Sequence, residues 1–245
     1  MSELEITTRD GRCPSYVWRP PGRGPWPAVL VYMDGIGIRP ALFEMGERMA
    51  GHGYFVLLPD LFYRAGPYEP LDPKRLFTDL EFRQAWFAKY ASTASQANVR
   101  SDTEAFLAFL GAQKDVVQPK VGTTGYCLGG ALALRTAAHR PDDVAAAAAF
   151  HPARLATDAP DSPHLLADRV RAEVYVEAAD QDQGLPPEQQ QRLDDALTEA
   201  GVTHVCEQYD GAAHGFTMSD TAVYDEAGTE RHWTALLDLL GRTLR

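Results

Sequence analysis

The sequence predicts an α/β fold: a doubly wound, mostly parallel sheet flanked by helices. Three observations carry this. Short apolar runs without polar alternation, at 28–32 and 54–58, read as strands buried on both faces, as in a parallel sheet. Segments of helical character lie between such runs, and strand alternating with helix describes a sheet covered on both sides. The 245 residues hold no internal repeat and no linker rich enough to divide them, so residues 1–245 read as one domain.

The elements follow in order. Residues 4–9 and 12–18 are expected to pair as a hairpin with Asp10-Gly11 as its turn. A Pro/Gly-rich loop at 20–27 leads into the strand 28–32. Residues 40–51 fit a helix, with Pro40 in the first turn, where no N–H is needed, and Gly51 or Gly53 at its end. The strand 54–58 is stopped by Pro59-Asp60. Residues 61–97 form a long, irregular and aromatic-rich excursion, expected to be a lid or pocket insertion. Of its rings, Phe62, Tyr63, Tyr68, Phe77, Phe82, Trp86, Phe87 and Tyr90, most are expected in the core.

A helix at 98–111 precedes a short buried strand at 120–124, and a further helix runs through 131–138. The alanine-rich stretch 144–150 is helical by propensity. It reads as a strand here, because Pro141 and His151-Pro152 bound it and small side chains let a helix pack closely. A strand at 173–178, a helix at 186–200 closed by Gly201, an edge-like alternating strand at 203–209 and a terminal helix at 222–244 complete the pattern.

Composition narrows the function. At 45% hydrophobic and 23% charged residues the chain is ordinary for a globular protein. A formal charge of −11 without a Lys/Arg stripe argues against nucleic acid. The acidic N-terminus resembles no secretory signal, and no apolar run is long enough to cross a membrane, so a reducing cytoplasm is the expected setting. Cys13, Cys127 and Cys206 are widely separated and suit neither a disulfide framework nor a zinc site.

The chemistry centres on Gly125-Tyr-Cys127-Leu128-Gly129-Gly130, which has the form of a nucleophile elbow carrying a thiol. So tight a strand-to-helix turn strains its central residue and needs flanking glycines. It would present Cys127 at the carboxyl edge of the sheet, with the Leu128 N–H at a helix N-terminus to receive an oxyanion. A buried structural cysteine is the plain alternative for such a motif alone. A thiol nucleophile needs a base, and the base an orienting acid, each on a loop after a strand. His214, among Ala212, Ala213 and Gly215, is the expected base; His151, at a strand end, is a second candidate. Asp182 and Asp180 share the preceding loop. Asp182 is favoured because it stands four residues before Pro186, which opens the next helix.

Gly-Tyr-Cys-Leu-Gly-Gly, the Asp-x-x-Leu-Pro loop and Ala-His-Gly-Phe together resemble the dienelactone hydrolase family, over nearly the whole chain and with order and spacing preserved. The resemblance implies an α/β-hydrolase fold without a large cap domain. It also implies no metal or organic cofactor, and hydrolysis of a small-molecule ester or lactone through a thioester. It further implies an acidic residue at the third strand's end that holds the resting thiol's proton. Here that residue is Asp34 in place of the family's glutamate, with the Gly35 N–H as second oxyanion donor; a helix cap or turn is the alternative role for Asp34.

Where the family has a substrate-binding arginine four residues after the histidine, this chain has Met218. Arg83 or Arg64, from the aromatic excursion, is the candidate for a second arginine. Losing one anion anchor implies a more apolar, less charged substrate. A catalytically quiet relative that binds a small ligand, and an acyltransferase using the same residues, are the competing functions. The sequence leaves a monomer and a small homo-oligomer both open.

Overall fold

The structure is a computed structural model that describes residues 1–117 and 120–244. Its eight strands form one sheet in the order β1-β2-β4-β3-β5-β6-β7-β8. The first two, β1 (Ser2–Thr8) and β2 (Gly11–Trp18), pair antiparallel, and β2 pairs antiparallel with β4 (Phe55–Pro59). From β4 onward all pairings are parallel, through β3 (Ala28–Tyr32), β5 (Val121–Tyr126), β6 (Val144–Phe150), β7 (Glu173–Ala179) and β8 (His204–Tyr209). The hairpin turn lies one residue earlier than its dipeptide implies. Thr8 pairs with Gly11 across Arg9-Asp10, and the Thr8 hydroxyl accepts from the Asp10 N–H at 3.2 Å.

Every residue of β3, β4 and β5 is buried, as strands covered on both faces must be. The helices are α1 (Pro40–Gly51), α2 (Pro73–Thr78), α3 (Leu80–Lys89), α4 (Gln96–Gly111), α5 (Leu128–His139), α6 (Pro187–Glu199) and α7 (Glu226–Thr243). Two begin away from the expected positions, because side-chain caps decide the start. The Ser95 hydroxyl accepts from the Asn98 N–H to open α4, and the Asp225 carboxylate from the Ala227 N–H to open α7. None of the described helices is long and apolar enough to cross a membrane.

The alanine stretch is the strand β6, inserted between β5 and β7, and tertiary pairing there overrides helical propensity. Its small side chains serve packing. A β-carbon on Gly130 of α5 would lie 3.1 Å from Ala149 Cβ, so nothing larger fits on either side. Tyr32 ties the layers together, its hydroxyl 2.8 Å from Thr103 Oγ1 of α4 and 2.7 Å from Thr136 Oγ1 of α5.

The aromatic excursion folds as α2 and α3 with short 3-10 turns, and no cap domain is built from it. Phe62, Tyr68, Trp86 and Tyr90 pack together, with ring centroids 4.4–6.4 Å apart. Phe77 and Phe87 remain 54% and 41% exposed, and both turn toward the cavity described next. A 3-10 turn at Pro163–Arg169 was not foreseen, since a run of single 3-10 turns has no periodic signal.

Candidate active site

The turn between β5 and α5 is as tight as its glycines require. Cys127 has φ 55° and ψ −117°, a left-handed conformation that costs a non-glycine residue of order 1–3 kcal/mol. A β-carbon on Gly125 would lie 2.0 Å from the Gly129 carbonyl oxygen, and one on Gly129 2.3 Å from that of Tyr32. The Cys127 N–H donates to Phe150 O at 3.1 Å, which stitches the turn to β6. Its thiol is half-buried in a small cavity of about 90 Å³.

Two backbone N–H groups lie in the neighbourhood of Cys127: Leu128 follows it in the chain, and Gly35 lines the same cavity. Leu128 opens α5, so its N–H lacks an intrahelical acceptor. The Gly35 N–H has no acceptor among the described residues, and a β-carbon on Gly35 would lie 3.5 Å from Leu128 Cδ2. The Gly35 carbonyl is turned the other way, accepting from Trp86 Nε1 at 3.0 Å.

His214 lies on the loop after β8, beside Gly215 at φ 92°. Its Nδ1 is 2.5 Å from Asp182 Oδ2, and the other Asp182 oxygen accepts from the Gly184 N–H at 2.7 Å. The structure brings Asp182 to the imidazole. Asp180 is exposed, its N–H bonded to Tyr209 O. Burial disfavours a charged imidazole, but the Asp182 bond and the neighbouring Cys127 thiol outweigh it and push His214 up to about 11. The two loops rest on a satellite cluster of Ala179, Tyr209, Ala212 and Phe216, separate from the main core. The Gln181 N–H donates to Ala212 O at 3.0 Å and joins them directly.

Asp34 lines the same cavity, but its carboxylate is engaged elsewhere. Arg39, 1% exposed, donates from Nη1 to Oδ1 at 2.8 Å and from Nη2 to Oδ2 at 2.9 Å, while the Ile36 N–H also donates to Oδ1. Arg39 in turn donates from Nε to Asp220 at 2.7 Å. Among the described hydrogen bonds Asp34 accepts from Arg39 and the Ile36 N–H, and none joins it to Cys127. The physical reason is charge: a buried guanidinium takes the carboxylate bidentately, and a thiol is a much weaker donor. Arg39 was not foreseen, and Asp220 stands 181 positions away, beyond the reach of any local signal.

Replacing Arg39 by leucine leaves Asp34 buried and unpaired. It is expected to lower unfolding stability by about 3–5 kcal/mol. Urea unfolding measures this, with Asp34→Asn/Arg39→Leu expected to recover part of the loss; a change below about 1 kcal/mol, the range of exposed pairs, contradicts it.

His151 ends β6 at φ 36° and is fully buried. Its Nε2 lies 2.8 Å from Thr217 Oγ1, and its ring centroid 5.2 Å from that of His214. It is therefore a neighbour of the imidazole, with no bond to Cys127 among the described hydrogen bonds. Burial, and then the nearby His214, pull its pKa well down, so it is neutral. Beneath it the Glu177 carboxylate accepts from the His151 N–H at 2.9 Å, and burial pushes Glu177 up to about 8.

The cavity walls include Leu76, Phe77, Phe87 and Met218, with Arg83 as the one arginine lining it among the described residues. Arg83 makes no ion pair among the described residues. Arg64 is spent elsewhere, on Asp10 and the fully buried Asp102.

The model of the dienelactone hydrolase family matches residues 13–244. A Methylorubrum extorquens protein provisionally named carboxymethylenebutenolidase is 30% identical over 96% of this chain and 79% of its own length. A Synechocystis protein with the same provisional name is 26% identical over 99% and 96%. A Klebsiella pneumoniae structure, provisionally titled a dienelactone hydrolase, superposes with a TM-score of 0.85 at 24% identity, covering 98% of this chain and 97% of that one.

Proposed function

This chain belongs to the dienelactone hydrolase family, and from that premise we propose that it hydrolyses a carboxylic ester or lactone through a thioester on Cys127. The observation that carries the reading is the strained elbow, which holds Cys127 beside an imidazole whose Nδ1 is tied to Asp182.

An ionised carboxylate only accepts, so the Nδ1–H of His214 donates to Asp182 and Nε2 is left to exchange a proton with the thiol. The Cys127 sulfur attacks the carbonyl carbon, and the displaced electron pair collects on oxygen, facing the N–H groups of Leu128 and Gly35. As the tetrahedral intermediate collapses, the leaving alkoxide takes the proton from His214 Nε2. A water then gives its proton to the same nitrogen and attacks the thioester, releasing the acid and restoring the thiol. Asp182 fixes the tautomer and balances the imidazolium charge throughout.

The cavity's apolar rings and Met218 favour a small, uncharged acyl group, and Arg83 is the cation away from the Cys127–His214 pair that could meet an anionic one. The test is a panel of neutral aryl esters and one anionic lactone, with acid quenching and mass mapping of the acylated peptide. An acyl group on Cys127 and faster turnover of neutral esters are expected. Acylation at any other residue, or none with turnover intact, rejects the thioester. Replacing Arg83 by leucine should slow the anionic lactone roughly 10–100-fold, the worth of one charge-assisted hydrogen bond, and leave neutral esters unaffected. Equal loss on both kinds of substrate would show that Arg83 serves structure instead.

A further inference from the structure

At the other end of β8 from the His214 loop, three side chains of metal-binding type converge. His204 and Cys206 alternate by two along the strand and so leave it on the same face. Asp194 comes from α6, which packs against β8. One donor atom from each lies within 4.8 Å of the other two.

The histidine is oriented for this. Its Nδ1 lies 2.8 Å from the Val202 carbonyl, to which it donates, and its Nε2 faces Asp194 Oδ1 at 3.1 Å. A backbone carbonyl on the far ring nitrogen is the outer support that metal-binding imidazoles characteristically have. The Asp194 carboxylate also lies against the Cys206 thiol. Burial, and then that carboxylate, hold the Cys206 thiol protonated, up to about 12.

We infer that Asp194, His204 and Cys206 bind one divalent cation of the zinc type, with water as the fourth ligand. Tetrahedral zinc with these three donors holds their atoms about 3.4–3.6 Å apart, so small rotamer shifts from the present spacing suffice. One thiolate, one imidazole and one carboxylate suit zinc or cobalt, and not magnesium or calcium, which take oxygen ligands. On binding, the thiol proton and any proton on Nε2 pass to solvent, and the cation takes their place between the three donors. The three cysteines hid this site from sequence inspection, since only one of them takes part and its partners come from a neighbouring position and a different helix.

The site's place in the fold gives binding a consequence. α6 follows the loop that carries Asp182, and β8 leads into the loop that carries His214. A cation bonded to both elements clamps together the supports of that pair. The inference stands apart from the proposed hydrolysis, and its test does not read activity.

Cys127 would itself attract a soft cation, so the measurement uses Cys127→Ala protein. Cobalt(II) is the probe. One equivalent is expected to give tetrahedral visible bands and a sulfur-to-cobalt charge-transfer band, both abolished by zinc, and zinc is expected to raise the melting temperature. Cys206→Ser in this background should remove the charge-transfer band. His204→Ala should weaken binding by more than the 10–100-fold that loss of an outer partner costs. Melting without metal shows that each variant is folded, and Asp194→Asn on the helix surface is a third, milder variant. Absence of the band in Cys127→Ala, or its persistence in Cys127→Ala/Cys206→Ser with only Cys13 left, overturns the inference.

Discussion

Replacing Cys127 by alanine is expected to lower kcat for ester hydrolysis by roughly 10⁶, the scale on which a hydrolase of this logic loses its nucleophile. Thermal unfolding should hardly change. The side chain is half-buried at the rim of a cavity, and its removal opens no hole in the packed core. The left-handed backbone at this position is held by Gly125, Gly129 and the bond to Phe150, all of which remain. Cys127→Ser should recover little, because an alcohol lacks the nucleophilicity for which a thiol–imidazole site is arranged. A Cys127→Ala enzyme that keeps most of its kcat/KM would remove the thiol from the mechanism altogether.

The second large effect is expected at Asp182. With asparagine there, the amide can present its N–H₂ to Nδ1, and the ring then takes the tautomer that points the wrong nitrogen at the thiol. In a serine protease the same replacement costs about 10⁴ in kcat. The 2.5 Å contact and the second bond from the Gly184 N–H make Asp182 the group that sets the ring's orientation. Asp180→Asn, at an exposed side chain, should turn over like the parent. Assay of both variants on one ester decides the matter. The reverse order of activities would mean that the exposed aspartate swings in to serve the histidine.

What could be read from the chain was what neighbouring residues determine together. The elbow is a local object: strand, glycine, nucleophile, glycine and helix lie within a dozen residues, and each glycine has a steric reason for being there. The order Cys127, Asp182, His214 could be proposed because each follows a segment that reads as a strand, a buried one before Cys127 and an alternating, edge-like one before His214. Asp182 and Asp180 were harder to separate, since the choice depends on how Asp180 and Gln181 bond to Tyr209, at the end of β8, and to Ala212 in the loop after it. The alanine strand could be recognised only by setting its bounds against its propensity. The Asp34–Arg39–Asp220 array was invisible for a different reason. Asp34 and Arg39 share the loop before α1 but Asp220 comes from the loop before α7, and a lone arginine before a proline reads as surface until the fold buries it. Glu177 and Thr217 were beyond reach likewise, since burial and not pattern joins them to His151.

The satellite cluster under the two loops has a dynamic consequence. Four side chains, held apart from the main core, give the segments around Asp182 and His214 less apolar cohesion than the central strands have. A region so attached can open without the sheet coming apart, as one cooperative unit with its own, smaller opening free energy. In native-state hydrogen exchange, the amides of Gln181, Ala212 and Phe216 should then share one opening energy, well below that of β3 and β5. If they exchange only as fast as the central strands do, the loops and the sheet unfold in a single step. If the lower value is found, the chain can lose its Asp182–His214 alignment, and regain it, while every strand stays paired.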